Sequence, residues 1–229
     1  NRTNGYVVGN LKMYVVAGAS EQLFPLGVGS NYVPVRVQFS DVAQGGYILV
    51  KRFNGEHPQS GASSAIIDTS QDVNVYWSII PYGITLNGPY SVTLSFVNPN
   101  ELDSGVDPTS SAVVGALWNS SQWTETSIAS RSSESVQIIN LFAFGDIVLG
   151  KPIARLFISV RSGNWNESAT WSPSGVPGTK DTAIVRASHT VTLQTHANIT
   201  KIIVDSEGTL NIDAQTLNVS GNILLNGTM

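Results

Sequence analysis

The sequence predicts an all-β chain, an antiparallel β-sandwich followed by a short parallel β-solenoid. Three observations carry this. Apolar residues alternate with polar ones up to about residue 149, as in strands with one packed face and one wet face. No stretch shows the 3.6-residue recurrence of an amphipathic helix. Beyond "RLFISV" (155–160) the alternating runs give way to short apolar bursts between polar corners, the grammar of stacked rungs.

The elements follow in chain order. "GNLKMYVV" (9–16) opens the alternating half, and "VPVRVQF" (33–39) puts Val33, Val35, Val37 and Phe39 on one face. "GGYILVKRF" (45–53) is next, then "VNVYWSI" (73–79) with Val73, Val75, Trp77 and Ile79 in phase. "YSVTLSF" (90–96) repeats the pattern with Tyr90, Val92, Leu94 and Phe96. "SAVVGALW", "SQWTETSIA" and "SVQIINLFAF" complete the set between 111 and 144. Gly, Pro, Asn and Ser clusters separate these runs, as the turns of an antiparallel sandwich require. "GKPIA" (150–154) breaks the alternation and reads as a linker, giving a sandwich domain over 1–152 and a solenoid start over 153–229. In the second domain Val191 with Leu193, Ile202–Val204, Leu210 with Ile212, Leu217 with Val219, and Ile223–Leu225 are the bursts. "TLNI" (209–212) and "TLNV" (216–219) are near copies seven residues apart. There is room for about two rungs, fewer than the three or so repeats a free-standing stack needs, so the solenoid reads as incomplete at its C-terminal end.

Composition narrows the function classes. Charged residues make up 12% of the 229, about half the usual share, and the net charge is −4. Twelve scattered basic residues give no electrostatic footprint for nucleic acid. Without cysteine, disulfide frameworks and thiolate metal sites are excluded. No run of 18 apolar residues exists, so no membrane insertion by a helix is expected, and "NRTNGYVVGN" does not read as a secretory leader. Low charge with abundant Ser, Thr, Asn and Gly suits an exposed, non-cytosolic β-protein.

"SGNWNESATWSPSGVPGTKDTAIVRASHTVTL" (162–193) resembles the entry module of β-solenoids in large secreted surface proteins of the Bacteroidota type. Trp165, Trp171, Pro177, Gly178, Asp181, His189, Val191 and Leu193 fit that group's pattern, with Ala183, Ile184 and Val185 as the intervening strand. "GYVVGNLKMYV", "LFPLGVGSNYVPVRVQF" and Tyr76-Trp77 are similar to the sandwich that accompanies such solenoids. "RTNGYVVG" (2–9) tends to follow a completed solenoid in that group, so the chain resembles one segment of a longer repeating protein. The resemblance implies export to the extracellular space or cell surface of a bacterium, and roles as adhesins or filaments.

Each candidate site has a plain structural reading beside its functional one. Trp165 and Trp171 are either lids over the first rung, with their indole N–H groups bonded to loop carbonyls, or carbohydrate contacts helped by Asn164, Asn166 and Glu167. The lid is preferred, because the open edge of a first rung needs covering. His189 and His196 with Asp181 have no spacing that enforces a zinc site, so a structural hydrogen bond is expected of His189 and no metal is assigned. "NPNELDSGVDP" (98–108) gathers oxygen ligands, of which Asn100, Asp103 and Asp107 form a weak calcium candidate against an ordinary turn. Asn-x-Ser/Thr sequons fall at Asn1, Asn119, Asn166, Asn198, Asn218 and Asn226. Asp181-Thr182-Ala183 matches an O-glycosylation signature of the resembled group, placing a candidate glycan on Thr182.

No nucleophile elbow, phosphate loop or paired-carboxylate cleft is legible, so no catalytic residue, enzyme activity or cofactor is expected. The expected function is a structural segment of an extracellular filament or cell-surface adhesin, assembling through β-strand and solenoid stacking. Its partners would be neighbouring copies or adjoining repeats of the same chain, and glycans in the alternative of a carbohydrate-binding accessory module. The expected interface joins Tyr6, Val8 and Leu11 of one copy to Leu217, Val219, Ile223, Leu224 and Leu225 of the next.

Overall fold

A computed structural model describes residues 5–62 and 64–229. The Asn1 sequon and the first residues of "RTNGYVVG" lie outside them. The chain divides into two compact units between Pro152 and Ile153.

The first unit is built on an eleven-stranded sheet folded on itself into a sandwich, with a three-stranded and a two-stranded sheet beside it. Its path runs Leu11–Val15, Gly46–Asn54, Val75–Tyr82, Gly145–Pro152, Val114–Trp118, Trp123–Arg131, Ser135–Leu141, Tyr90–Ser95, Val35–Phe39 and Ser20–Phe24. Ile67–Asp72 lies off this path and pairs with Gly145–Pro152. The strand Trp123–Arg131 makes the corner. Its first half pairs with Gly115–Trp118, its second with Val136–Ile139, and the register shifts between Ile128 and Ser130. A shift of this kind bends a strand and lets it serve both layers. The residues predicted to face inward, Trp77, Ile79, Val37, Tyr90 and Leu94, meet between the layers, joined there by Ile48 and Leu149 from one half and Phe24 from the other.

The linker expected at 150–154 is corrected by this sheet. Gly150, Lys151 and Pro152 belong to the strand Gly145–Pro152. Pro152 is tolerated because it ends the strand, where a missing N–H costs no ladder bond. Gly150 is required by a close approach, since a Cβ there would lie 2.5 Å from the Cβ of Asp72 and 2.6 Å from the Ile67 side chain.

The second unit is a parallel β-solenoid with three sides. Thr182–Val185, Thr190–Thr192 and Ala197–Ile199 form one rung; Lys201–Val204, Thr209–Asn211 and Leu217–Val219 form the next. Thr182 pairs with Lys201, Thr190 with Thr209 and Ala197 with Leu217, offsets of 19, 19 and 20 residues. The near copies "TLNI" and "TLNV" are therefore two sides of one rung rather than two repeats. The true repeat conserves inward parity and corner shape: Ser188 and Glu207 both take left-handed backbone, at φ 63° and 65°. Above the first full rung lies Leu156–Ser159, and below the second lies Ile223–Leu225. Ala183, Val185, Val191, Leu193, Ile199 and Leu210 point inward and are buried. Outside, the Asn218 side-chain amide donates to Asn198 Oδ1 at 2.9 Å, a one-step asparagine ladder between rungs.

Candidate functional site

The entry end of the solenoid is closed. Trp171–Ser172 pairs antiparallel with Ile158–Ser159 and covers the outer edge of the first strand. Trp165 and Trp171 meet edge to face, with centroids 5.2 Å apart and planes at 75°. Their exposures are 3% and 2%, and they share one apolar cluster with Phe157, Ala183 and Leu210. Trp165 Nε1 donates to the Pro177 carbonyl at 3.3 Å, and Trp171 Nε1 to the Trp165 carbonyl at 2.8 Å. Each indole buries its ring and satisfies its single donor, as most buried polar groups do. Stacking a sugar needs an open ring face, and neither ring offers one. Carbohydrate contact at these two residues is corrected to a cap on the stack.

Asp181 is committed to the same cap. Its Oδ1 accepts the Arg155 N–H at 2.9 Å and its Oδ2 the Gly178 N–H at 2.7 Å, so one carboxylate ties the Pro-Gly turn to the first strand. Charge-assisted bonds of this type contribute about 1.5–3 kcal/mol each, and Asp181→Ala is expected to lower the unfolding free energy of this unit by that order in urea titration. His189 makes the structural bond expected of it: the Ser159 hydroxyl accepts from the Arg186 N–H at 2.9 Å and lies 2.8 Å from His189 Nδ1. His196 Nδ1 accepts the Thr216 N–H at 2.9 Å. Thr182 stands on the outward side of a strand paired on both edges and is half-buried.

The calcium candidate is likewise resolved into internal bonds. Asp103 accepts the Asn74 amide at 2.9 Å and the Asp72 N–H at 3.0 Å. Asp107 accepts the N–H and hydroxyl of Thr109 at 2.9 and 2.7 Å. Glu101, in the same loop, forms a buried ion pair with Arg52. Among the described residues no group of three His, Asp or Glu side chains converges as a metal site. The calcium reading of Asn100, Asp103 and Asp107 is corrected to a loop fastened by its own carboxylates.

The predicted assembly residues divide. Leu11 pairs with Val50 and packs at the margin of the sandwich core. Tyr6 lies over Gly27, donates its hydroxyl to the Gly29 carbonyl, and is followed by Val7–Val8 paired with Leu26–Gly27. The N-terminal strand is thus already used on one edge inside its own unit, and only Val8, 70% exposed, is open. At the other end Leu217 and Val219 are half-buried, and Ile223, Leu224 and Leu225 are 55%, 48% and 47% exposed. Register separates these three. Ile223 continues the buried column of Ile202, and Leu225 that of Val204, whereas Leu224 continues the outward column of Ile203. Leu224 therefore lies on the side wall, and the stacking surface belongs to Ile223 and Leu225.

Two further features escaped the sequence reading. The first is a set of buried polar groups on one side of the sandwich. His57 is 5% exposed and ringed by Tyr76, Trp118 and Trp123. Its Nδ1 accepts the Gln59 N–H at 3.0 Å, which leaves Nε2 to donate to Asp146 at 3.0 Å. With both nitrogens spent, His57 fixes the 55–62 turn. Nearby Asp72 is 3% exposed, with no partner for its Oδ1. Burial, then the neighbouring Glu56 carboxylate, push its pKa up to about 8.

The second feature is a row of tyrosines. Tyr14 pairs in register with Tyr47, and Tyr47 with Tyr82, across three adjacent strands. All three side chains point to the outer face and are 52%, 47% and 44% exposed. Tyr14 meets Tyr47 edge to face at 5.1 Å, and Lys12 Nζ sits 3.9 Å from the Tyr82 centroid and 5.1 Å from that of Tyr47. Further along the same face Phe53 stacks on Tyr76 at 4.6 Å. Alternation places these residues outward one strand at a time; only strand register brings them into a row. No protein-family model, curated protein or solved structure matches this chain.

Proposed function

We propose that this chain is a structural segment of an extracellular filament or bacterial cell-surface adhesin, and that it assembles by adding one β-rung to another. The observation that carries the reading is the rung at Ile223–Leu225, whose two core-column residues are about half exposed although the columns above them are fully buried. Covering such a surface with a matching rung recovers roughly 25 cal/mol per Å² of apolar area and pairs a line of backbone groups. The added rung is either an adjoining repeat of the same chain or part of a neighbouring copy. A closed entry and an open far rung make the contact head-to-tail, the kind that grows rather than closes when rotation does not return on itself. The low charge fits close polar packing outside the cell, and the resemblance of the entry module to surface-protein solenoids points the same way.

Sedimentation velocity over a concentration series tests this. The chain is expected to associate as concentration rises, Leu225→Lys to hold it monomeric, and Leu224→Lys on the side wall to change little. A wild-type chain that stays monomeric throughout overturns the proposal.

A further inference from the structure

The outer face of the strands Leu11–Val15, Gly46–Asn54 and Val75–Tyr82 carries a combination the assembly reading does not use. Its outward residues are Lys12 and Tyr14; Tyr47, Leu49, Lys51 and Phe53; and Tyr76, Ser78, Ile80 and Tyr82. Seven of the ten are aromatic or lysine, and none is a carboxylate. In a chain of net charge −4, these three strands present two ammonium groups and no acid; the carboxylate that borders them, Asp146 beside Ser78 on the next strand, is held by His57.

We infer that this face binds an acidic polysaccharide, a chain of linked sugars carrying carboxylate or sulfate groups. Three in-register tyrosines on strands about 4.8 Å apart make a platform about 10 Å long, comparable to a disaccharide. Tyrosine suits sugars in two ways: the ring packs against the apolar face of a pyranose, and the hydroxyl bonds to its rim. Lys12 supplies the sign. Its ammonium is pinned over the Tyr82 and Tyr47 rings, so an incoming anion meets a positioned charge that has already lost part of its freedom. Lys51, on the adjacent outward row of the central strand, adds a second charge to the same face. Nucleic acid would also offer rings and anions, but its affinity rests on many phosphate contacts, and two lysines give few. This inference does not depend on assembly, since it uses the sandwich alone and leaves Ile223–Leu225 untouched.

Affinity electrophoresis in gels containing polygalacturonate, alginate or dextran sulfate tests it, with methyl-esterified polygalacturonate as the uncharged counterpart and single-stranded oligothymidylate as the competing class. At least one acidic polymer is expected to retard the protein, and the methyl ester to bind about tenfold more weakly than the acid form. Lys12→Gln should narrow the difference between acid and ester, and Lys12→Gln combined with Lys51→Gln should erase it. Tyr47→Ala should abolish retardation by both, with an unchanged thermal unfolding profile showing that the sheet persists. Should Tyr47→Ala unfold, Tyr82→Ser, at the end of the row, takes its place. Retardation by none of the acidic polymers, equal binding of acid and ester, or tighter binding of the oligothymidylate overturns the inference.

Discussion

Replacing Trp171 with alanine is expected to remove about 3–5 kcal/mol from the solenoid unit. The ring is 2% exposed and packs edge to face on Trp165, so truncation opens a void at the top of the stack and bares the first rung. It also leaves the Trp165 carbonyl without its indole donor. Amide hydrogen exchange reads the result by region: protection over the rungs from Thr182 to Val219 should collapse, with the sandwich strands as internal control. Trp171→Phe separates the contributions, because it keeps most of the packing and loses only the hydrogen bond, worth about 1 kcal/mol. Unchanged protection in Trp171→Ala would show that the rungs stand without their cap.

The stability of the sandwich unit is expected to fall as pH rises from about 4 to about 8, because of Asp72. Its carboxyl is raised from an ordinary 3.8 to about 8, first by burial and then by the charge of Glu56. Between those values the folded chain holds a proton that the unfolded chain releases, so stabilisation is fully present below the lower value and is lost as pH approaches the upper one. One such proton gives a slope of at most about 1.4 kcal/mol per pH unit. Asp72→Asn keeps the shape of the protonated acid and cannot ionise. It should match wild type near pH 4 and exceed it at pH 8 by about 1–3 kcal/mol, the order of the penalty for ionising a buried group beside another carboxylate. Urea unfolding of both chains at the two pH values checks this. Parallel profiles would refute the assignment.

Most of the fold was legible because burial follows alternation. Val35, Val37, Trp77, Ile79, Val92 and Leu94 were placed inward by parity and all are buried. Strands that alternation does not mark were missed: "SEQLF" (20–24) and "IDTSQD" (67–72) lie at the sheet's margins, where polar residues face water on more than one side. The solenoid showed its bursts but hid its repeat, since rungs preserve the inward column and the left-handed corner rather than residue identity. The tryptophan cap was legible because position decides it: two large rings beside a first rung have an edge to cover. The tyrosine row was not, because Tyr14, Tyr47 and Tyr82 belong to three separated segments. Asp72 was hidden for a similar reason. Its environment is made by Glu56 and Asp103, and by a glycine at 150 that lets its strand come close.

The solenoid's economy of length has a mechanical consequence. Each rung takes 19 or 20 residues to advance the stack by about 4.8 Å, one inter-strand spacing. The same residues, drawn straight, reach about 65–70 Å. A rung peeled from the stack under tension therefore lengthens the chain more than tenfold over the height it gave up. Because the bonds of one rung break before those of the next, the chain yields in steps of about 60 Å and dissipates work at each.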